Sequence, residues 1–186
     1  MSKEANTKPV WWLLVPSLSL LLALTVWGVA RYPRLPDRIP QHIGPGGVDA
    51  WTDKSVLVAF LPVYVYALLT ALMVIAAVAM LRTTPADQLP EQENRWARAA
   101  NAMSNRPASA ASARRGAVAL LIGNALMGIA FIPMAHVQWR GTETSHVPGW
   151  MFAAVLVPLA GGIAPLVIAT LRDSAEKRRA REGRAA

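Results

Sequence analysis

The sequence predicts an all-α polytopic membrane protein, with four transmembrane helices and a structured extracytoplasmic loop between the first and second. Three observations carry this. Hydrophobic residues make up 54% of the chain and charged residues 16%, too apolar for an ordinary soluble domain. The apolar residues gather in four stretches, about 10–30, 56–81, 116–137 and 150–171, each long enough to cross a hydrocarbon core. Lys and Arg gather at alternating ends of those stretches, where membrane anchors belong. In lipid every backbone N–H and C=O must pair within its own segment, which leaves helices as the economical solution. The 186 residues read as a single membrane domain, 1–186.

The first span, Val10–Ala30, carries no charge and would be about 31 Å long as a helix. Trp11 and Trp12 mark one interface, Trp27 and Tyr32 the other. Gly28-Val29-Ala30 faintly resembles a signal-peptide cleavage site, but the apolar run is long and its interfacial tryptophans suit an anchor better. The second span, Val56–Leu81, contains Pro62, which predicts a kink there or a late start with Asp53–Leu61 near the interface. The polar segment 82–115 follows. Trp96, Ala99, Ala100 and Met103 share one helical face in it, as in a short interfacial helix, and Asn105–Ser112 reads as a flexible linker. The third span holds Asn124, the one amide in any span, between Gly123 and Gly128. This is a pattern for interhelical hydrogen bonding among small residues, with a substrate-pathway role as the alternative. The fourth span carries Pro158, Gly161, Gly162 and Pro165, predicting a kink, with a broken helix as the alternative. The tail 172–186 is basic and expected to fray.

Counting Lys and Arg orients the chain. Fourteen of the 19 fall in the N-terminal lead, the segment 82–115 and the tail, against five in the other two connections. The richer side is expected to be cytoplasmic, with both termini there, in a multi-pass protein of the cell membrane. The loop 32–55 is then extracytoplasmic, and all three histidines, His42, His136 and His146, lie on its side.

That loop concentrates the chemistry. Pro33, Pro36, Pro40 and Pro45 fix their own φ and push the residues before them toward extended backbone, so Tyr32–Gln41 reads as a stiff strap. Gly44-Pro45-Gly46-Gly47 reads as a type II turn with positive φ at Gly46. Thr52 or Asp53 is placed to cap the next helix. The returning arm brings His42 toward Asp49 or Asp53 and Lys54 toward Asp37 or Asp49. Leu35, Ile39 and Trp51 are expected to close a small cluster that seats the loop. Pro36, Pro40, His42, Gly47, Asp49, Trp51 and Lys54 are the candidate ligand-binding residues.

Leu35-Pro36-Asp37-Arg38-Ile39-Pro40, then His42, Gly47, Asp49, Trp51 and Lys54, resembles in order and spacing a bacterial membrane family called domain of unknown function 1648. That family forms the N-terminal part of SdpI-type immunity proteins. The resemblance spans the first membrane helix, the loop and the start of the second helix. It differs at Ile43-Gly44-Pro45-Gly46, and the second domain of SdpI-type proteins has no match here. It implies immunity to an extracytoplasmic peptide or toxin, or signalling through the loop to a cytoplasmic regulator.

Other function classes have less support. The absence of cysteine excludes disulfides, thiolate metal sites and cysteine nucleophiles. His42, His136 and His146 are weak metal candidates, for zinc or copper(II), because no two have a ligand-motif spacing; backbone-bonded or interfacial histidines are the plainer reading. No hydrolase, metalloprotease or Walker motif is present, and Ser55, His42 and Asp49 make a triad on composition only, so no enzyme and no cofactor is expected. The net charge of +8 sits in membrane anchors without a nucleic-acid motif, so the expected partners are the lipid bilayer, a peptide or toxin outside and a regulator inside, and no nucleic acid. The runner-up function is a small metal- or ligand-handling membrane protein or transporter subunit.

Overall fold

A computed structural model describes residues 9–44, 46–90, 94, 96, 105–141 and 144–183. A 3₁₀ turn at Val10–Leu14 leads into α1, Val15–Arg31. A second 3₁₀ turn, Tyr32–Arg34, precedes β1, Arg38–Gly44, and β2, Gly47–Asp53. Then come the short α2, Val56–Ala59, and the long α3, Leu61–Arg82. A 3₁₀ turn at Ala86–Gln88 is followed by α4, Ala110–Ile129, α5, Phe131–Gln138, and α6, Trp150–Glu182. The four long helical segments, Val10–Arg34, Leu61–Gln88, Ala110–Gln138 and Trp150–Ala180, are each long and apolar enough to cross a membrane. Among the described residues this is a multi-pass helical architecture with one two-stranded antiparallel sheet, between the first and second spans.

The third span is the hub. Half of its apolar window is buried, against 11–22% for the other three. Small residues bring neighbours close to it. A Cβ on Gly123 would lie 2.6 Å from the Gly162 carbonyl oxygen, so α4 and α6 meet backbone to backbone. Gly128 opens a notch that receives the Tyr66 ring. Asn124 is fully buried at this centre. Its Nδ2 donates to Ser17 Oγ of α1 at 2.9 Å and to Thr70 Oγ1 of α3 at 3.1 Å. One amide thus ties three helices together, as the small-residue pattern around it led one to expect. The outward faces remain apolar, with Leu18, Leu22, Val26 and Val29 on α1 and Leu68, Leu72 and Ile75 on α3 exposed as a lipid-facing belt.

Several local expectations are corrected. Of the two expectations for Pro62, the late start holds and the kink does not: α3 begins at Leu61. Pro62 sits in the first turn, where its missing N–H costs nothing, and α2 with a break at Phe60 leads into it. Ser55, not Thr52 or Asp53, caps α2, its Oγ accepting from Val58 N–H at 3.3 Å. The strap is extended only beyond the Tyr32–Arg34 turn. In the fourth span the broken-helix alternative falls, since α6 runs through Pro158 and Pro165, and the tail expected to fray continues as helix to Glu182. The stretch Asn105–Ser112, expected as a flexible linker, is tied down from Ala108 onward. Ala108 N–H donates to Asp173 Oδ1 at 2.7 Å, Ser109 caps α4, and its Oγ donates to Glu176 Oε1 at 2.5 Å. Those bonds start the third span at Ala110 rather than near 116. The interfacial helix expected around Trp96, Ala99, Ala100 and Met103 lies outside the described residues except for Trp96 itself.

Candidate functional site

The loop folds as a β-hairpin because its prolines favour extended backbone and its glycines allow a tight reversal. The register pairs Arg38 with Asp53, Ile39 with Thr52, Pro40 with Trp51, Ile43 with Val48 and Gly44 with Gly47. Between Pro40 and Ile43 the ladder is irregular, with His42 opposite Ala50. Pro40 has no N–H to give the ladder, and a two-stranded hairpin tolerates this because both strands are edges. Pro45 of the expected type II turn lies outside the described residues. Positive φ belongs to Gly47, φ 115, one residue after the position the sequence favoured.

Two faces result. The seating face holds Leu35 and Ile39, both buried with Leu24, Ala59, Phe60, Val63 and Trp139. Trp51 does not join them. It packs, half-buried, beside Val48, Val137 and Met151 in a separate cluster at the third and fourth spans, because the residue cross-strand from it is Pro40, not Ile39. Gly47 lies against the 144–147 connection, where a Cβ would come 2.0 Å from Ser145 O, and Val48 N–H donates to that oxygen at 2.8 Å. The hairpin is therefore held on two sides, by the helix ends beneath it and by the second outer connection.

The exposed face holds the polar pair. His42 Nδ1 lies 2.6 Å from Asp49 Oδ1, the two side chains being 68% and 58% exposed. Since a carboxylate only accepts, Nδ1–H is the donor. Nε2 makes no hydrogen bond among the described residues; it is a donor when the ring is charged and an acceptor when it is neutral. Exposed ion pairs add little to stability, so this one is placed by the hairpin rather than holding it. Gly44 makes room for the pair, since a Cβ there would sit 2.7 Å from Asp49 Oδ2.

The remaining candidates divide. Lys54 does not pair Asp37 or Asp49 among the described residues. Its Nζ donates to Leu35 O at 2.9 Å and lies 5.7 Å from the Tyr32 ring centroid, while its N–H donates to Asp37 O at 2.7 Å, closing the base of the hairpin. Pro36 lies in the half-buried approach to β1, and Pro40 is buried. His136 is exposed at the end of the third span, its ring 6.4 Å from that of Trp27. His146 is exposed in the outer connection, where its carbonyl accepts from Arg140 Nη1 at 2.6 Å; burial pushes the Arg140 pKa below its ordinary value. Among the described residues no three His, Asp or Glu side chains gather as a metal site.

Sequence reasoning missed the residues that position the hairpin from across the fold. Trp139 is almost fully buried, donates Nε1–H to Ala59 O at 2.7 Å and stands edge-on to Trp27 at 5.2 Å. Gly28 makes the space, a Cβ there falling 2.7 Å from the Trp139 ring. Gln138 Nε2 donates to Val58 O at 2.9 Å, and Arg31 Nε reaches Trp139 O at 3.4 Å. A tryptophan and a glutamine directly after an apolar run were the available signal, and both read equally as interfacial residues.

The fold and the hairpin define a multi-pass membrane protein with an ordered connection between its first two spans. Residues 19–65 match the model of a family described as a domain of unknown function (DUF1648). The matched stretch runs from within α1, through the hairpin and α2, into the first turn of α3, which bears out the resemblance over that part of the chain. No curated protein and no solved structure matches the chain.

Proposed function

We propose that this chain is a non-enzymatic membrane protein whose hairpin recognises an extracytoplasmic peptide or toxin, as in SdpI-type immunity, with the basic segments on the opposite side addressing a cytoplasmic regulator. The observation that carries the reading is the His42–Asp49 pair, solvent-exposed on a hairpin whose other face is buried. A seated hairpin loses little conformational entropy when a ligand binds it, so its polar groups act as a preformed edge. Imidazole and carboxylate side by side offer a donor and an acceptor to a peptide backbone or a charged side chain.

The test is a susceptibility assay in the native host. A deletion strain is challenged with spent medium of its own species and complemented with the wild-type gene, His42→Ala or Asp49→Ala. Wild type should restore survival, and both variants, at equal membrane abundance, should not. Survival of the deletion strain equal to that of the parent would remove the immunity reading. Rescue by both variants would remove the hairpin pair from it.

A further inference from the structure

We propose that the groove between the start of α4 and the last turns of α6 binds the headgroup phosphate of an anionic phospholipid. α6 does not stop where its apolar run ends at Leu171 but continues as helix to Glu182. Beyond Leu171, Arg172, Ala175, Glu176 and Arg179 follow at i, i+3, i+4 and i+7, so they share one face. With Arg115 of α4 that face lines an open, solvent-facing groove of about 550 Å³.

The groove's walls are fixed. Asp173 accepts from Ala108 N–H and Ser112 Oγ and pairs with Lys177 at 2.7 Å, while Glu176 accepts from Ser109 Oγ and pairs with Arg115. Within the lining, three arginines face one glutamate. Arg115 answers Glu176, whereas the side chains of Arg172 and Arg179 make no hydrogen bond or ion pair among the described residues. Two unmatched guanidinium forks beside one concavity suit a phosphate, which they can bind in paired fashion.

What lies next to the groove selects the kind of phosphate. Ile168, one helical turn before Arg172 and on its face, is 49% exposed, and the adjoining Leu171 is 64% exposed. Apolar surface therefore continues directly from the arginines toward the membrane centre. A molecule with an anionic head and acyl chains meets both parts at once, while a free anion meets only the first. An arginine near a membrane surface is worth about a factor of five for anionic lipid, so Arg172 and Arg179 together are worth about twenty- to thirtyfold.

The test uses the full chain in detergent, titrated with phosphatidylglycerol, phosphatidylcholine or inorganic phosphate and read by native mass spectrometry. Arg172→Gln/Arg179→Gln is compared with Arg82→Gln/Arg178→Gln, which removes equal charge outside the groove. Phosphatidylglycerol should bind in preference to phosphatidylcholine. The groove variant should lose that preference by about twenty- to thirtyfold, and the control by no more than about twofold. Equal binding of the two lipids, or equal loss in both variants, overturns the proposal. Displacement of phosphatidylglycerol by inorganic phosphate at comparable concentration also overturns it and makes the groove a free-anion site.

Discussion

Gly47→Ala should detach the hairpin from the second outer connection. Two separate costs meet at this position. Its φ of 115 is one that residues with a Cβ rarely adopt, which costs about 1–3 kcal/mol. The new Cβ would also fall 2.0 Å from Ser145 O, a backbone atom that must move, and moving it removes the 2.8 Å bond from Val48 N–H, about 1 kcal/mol more. Together these make about 2–4 kcal/mol, or roughly a thirty- to thousandfold rise in hairpin opening. Amide hydrogen exchange at Val48 in the solubilised protein reads this directly. Gly46→Ala is the control: a Cβ there meets nothing within 4 Å, so its effect should stay within about 0.5 kcal/mol. Wild-type protection at Val48 in Gly47→Ala, or an equal loss in Gly46→Ala, would refute the reasoning.

Three further outcomes are expected. Asn124→Ala removes the donor shared by Ser17 and Thr70 and should lower stability by about 1–2 kcal/mol in thermal unfolding, an unchanged Tm counting against the three-helix tie. Trp139→Ala deletes a buried ring and its bond to Ala59 and should cost about 3–5 kcal/mol, with reduced membrane yield; half-buried Trp51→Ala should cost clearly less, and equal damage would contradict the two-cluster account. Dialysed protein should hold zinc or copper well below one equivalent, since His42, His136 and His146 each have different neighbours; one retained equivalent that His42→Ala abolishes would establish the metal site instead.

The spans were legible because burial in lipid imposes a compositional rule on each segment separately. Val10–Ala30 could be read without knowing its neighbours. The approach of His42 to Asp49 or Asp53 was legible for a similar reason, since prolines and glycines over a dozen residues constrain a local reversal; the structure selects Asp49, seven positions away. What failed depended on distant partners. Trp51 was assigned to Leu35 and Ile39 because the chain returns beside them after the turn, but the cross-strand register and the packing of Val137 and Met151 placed it elsewhere. The tail was expected to fray because Lys and Arg dominate it. Asp173 and Glu176, which hold it as helix, do so only through Ala108, Ser109, Ser112 and Arg115, more than sixty positions earlier. Lys54 was matched to carboxylates by charge, whereas a carbonyl and an aromatic face at the hairpin base were nearer.

The proposed recognition of an external ligand requires the hairpin to stand outside the cell membrane, across it from the segment that joins the second and third spans. The chain has no cysteine, so single cysteines report without background. His42→Cys and Arg106→Cys are treated with a membrane-impermeant maleimide in intact cells and after lysis. Cysteine at position 42 should label in intact cells, and cysteine at position 106 only after lysis. Labelling at 106 in intact cells, with 42 protected until lysis, would contradict the orientation and with it the recognition of an external ligand.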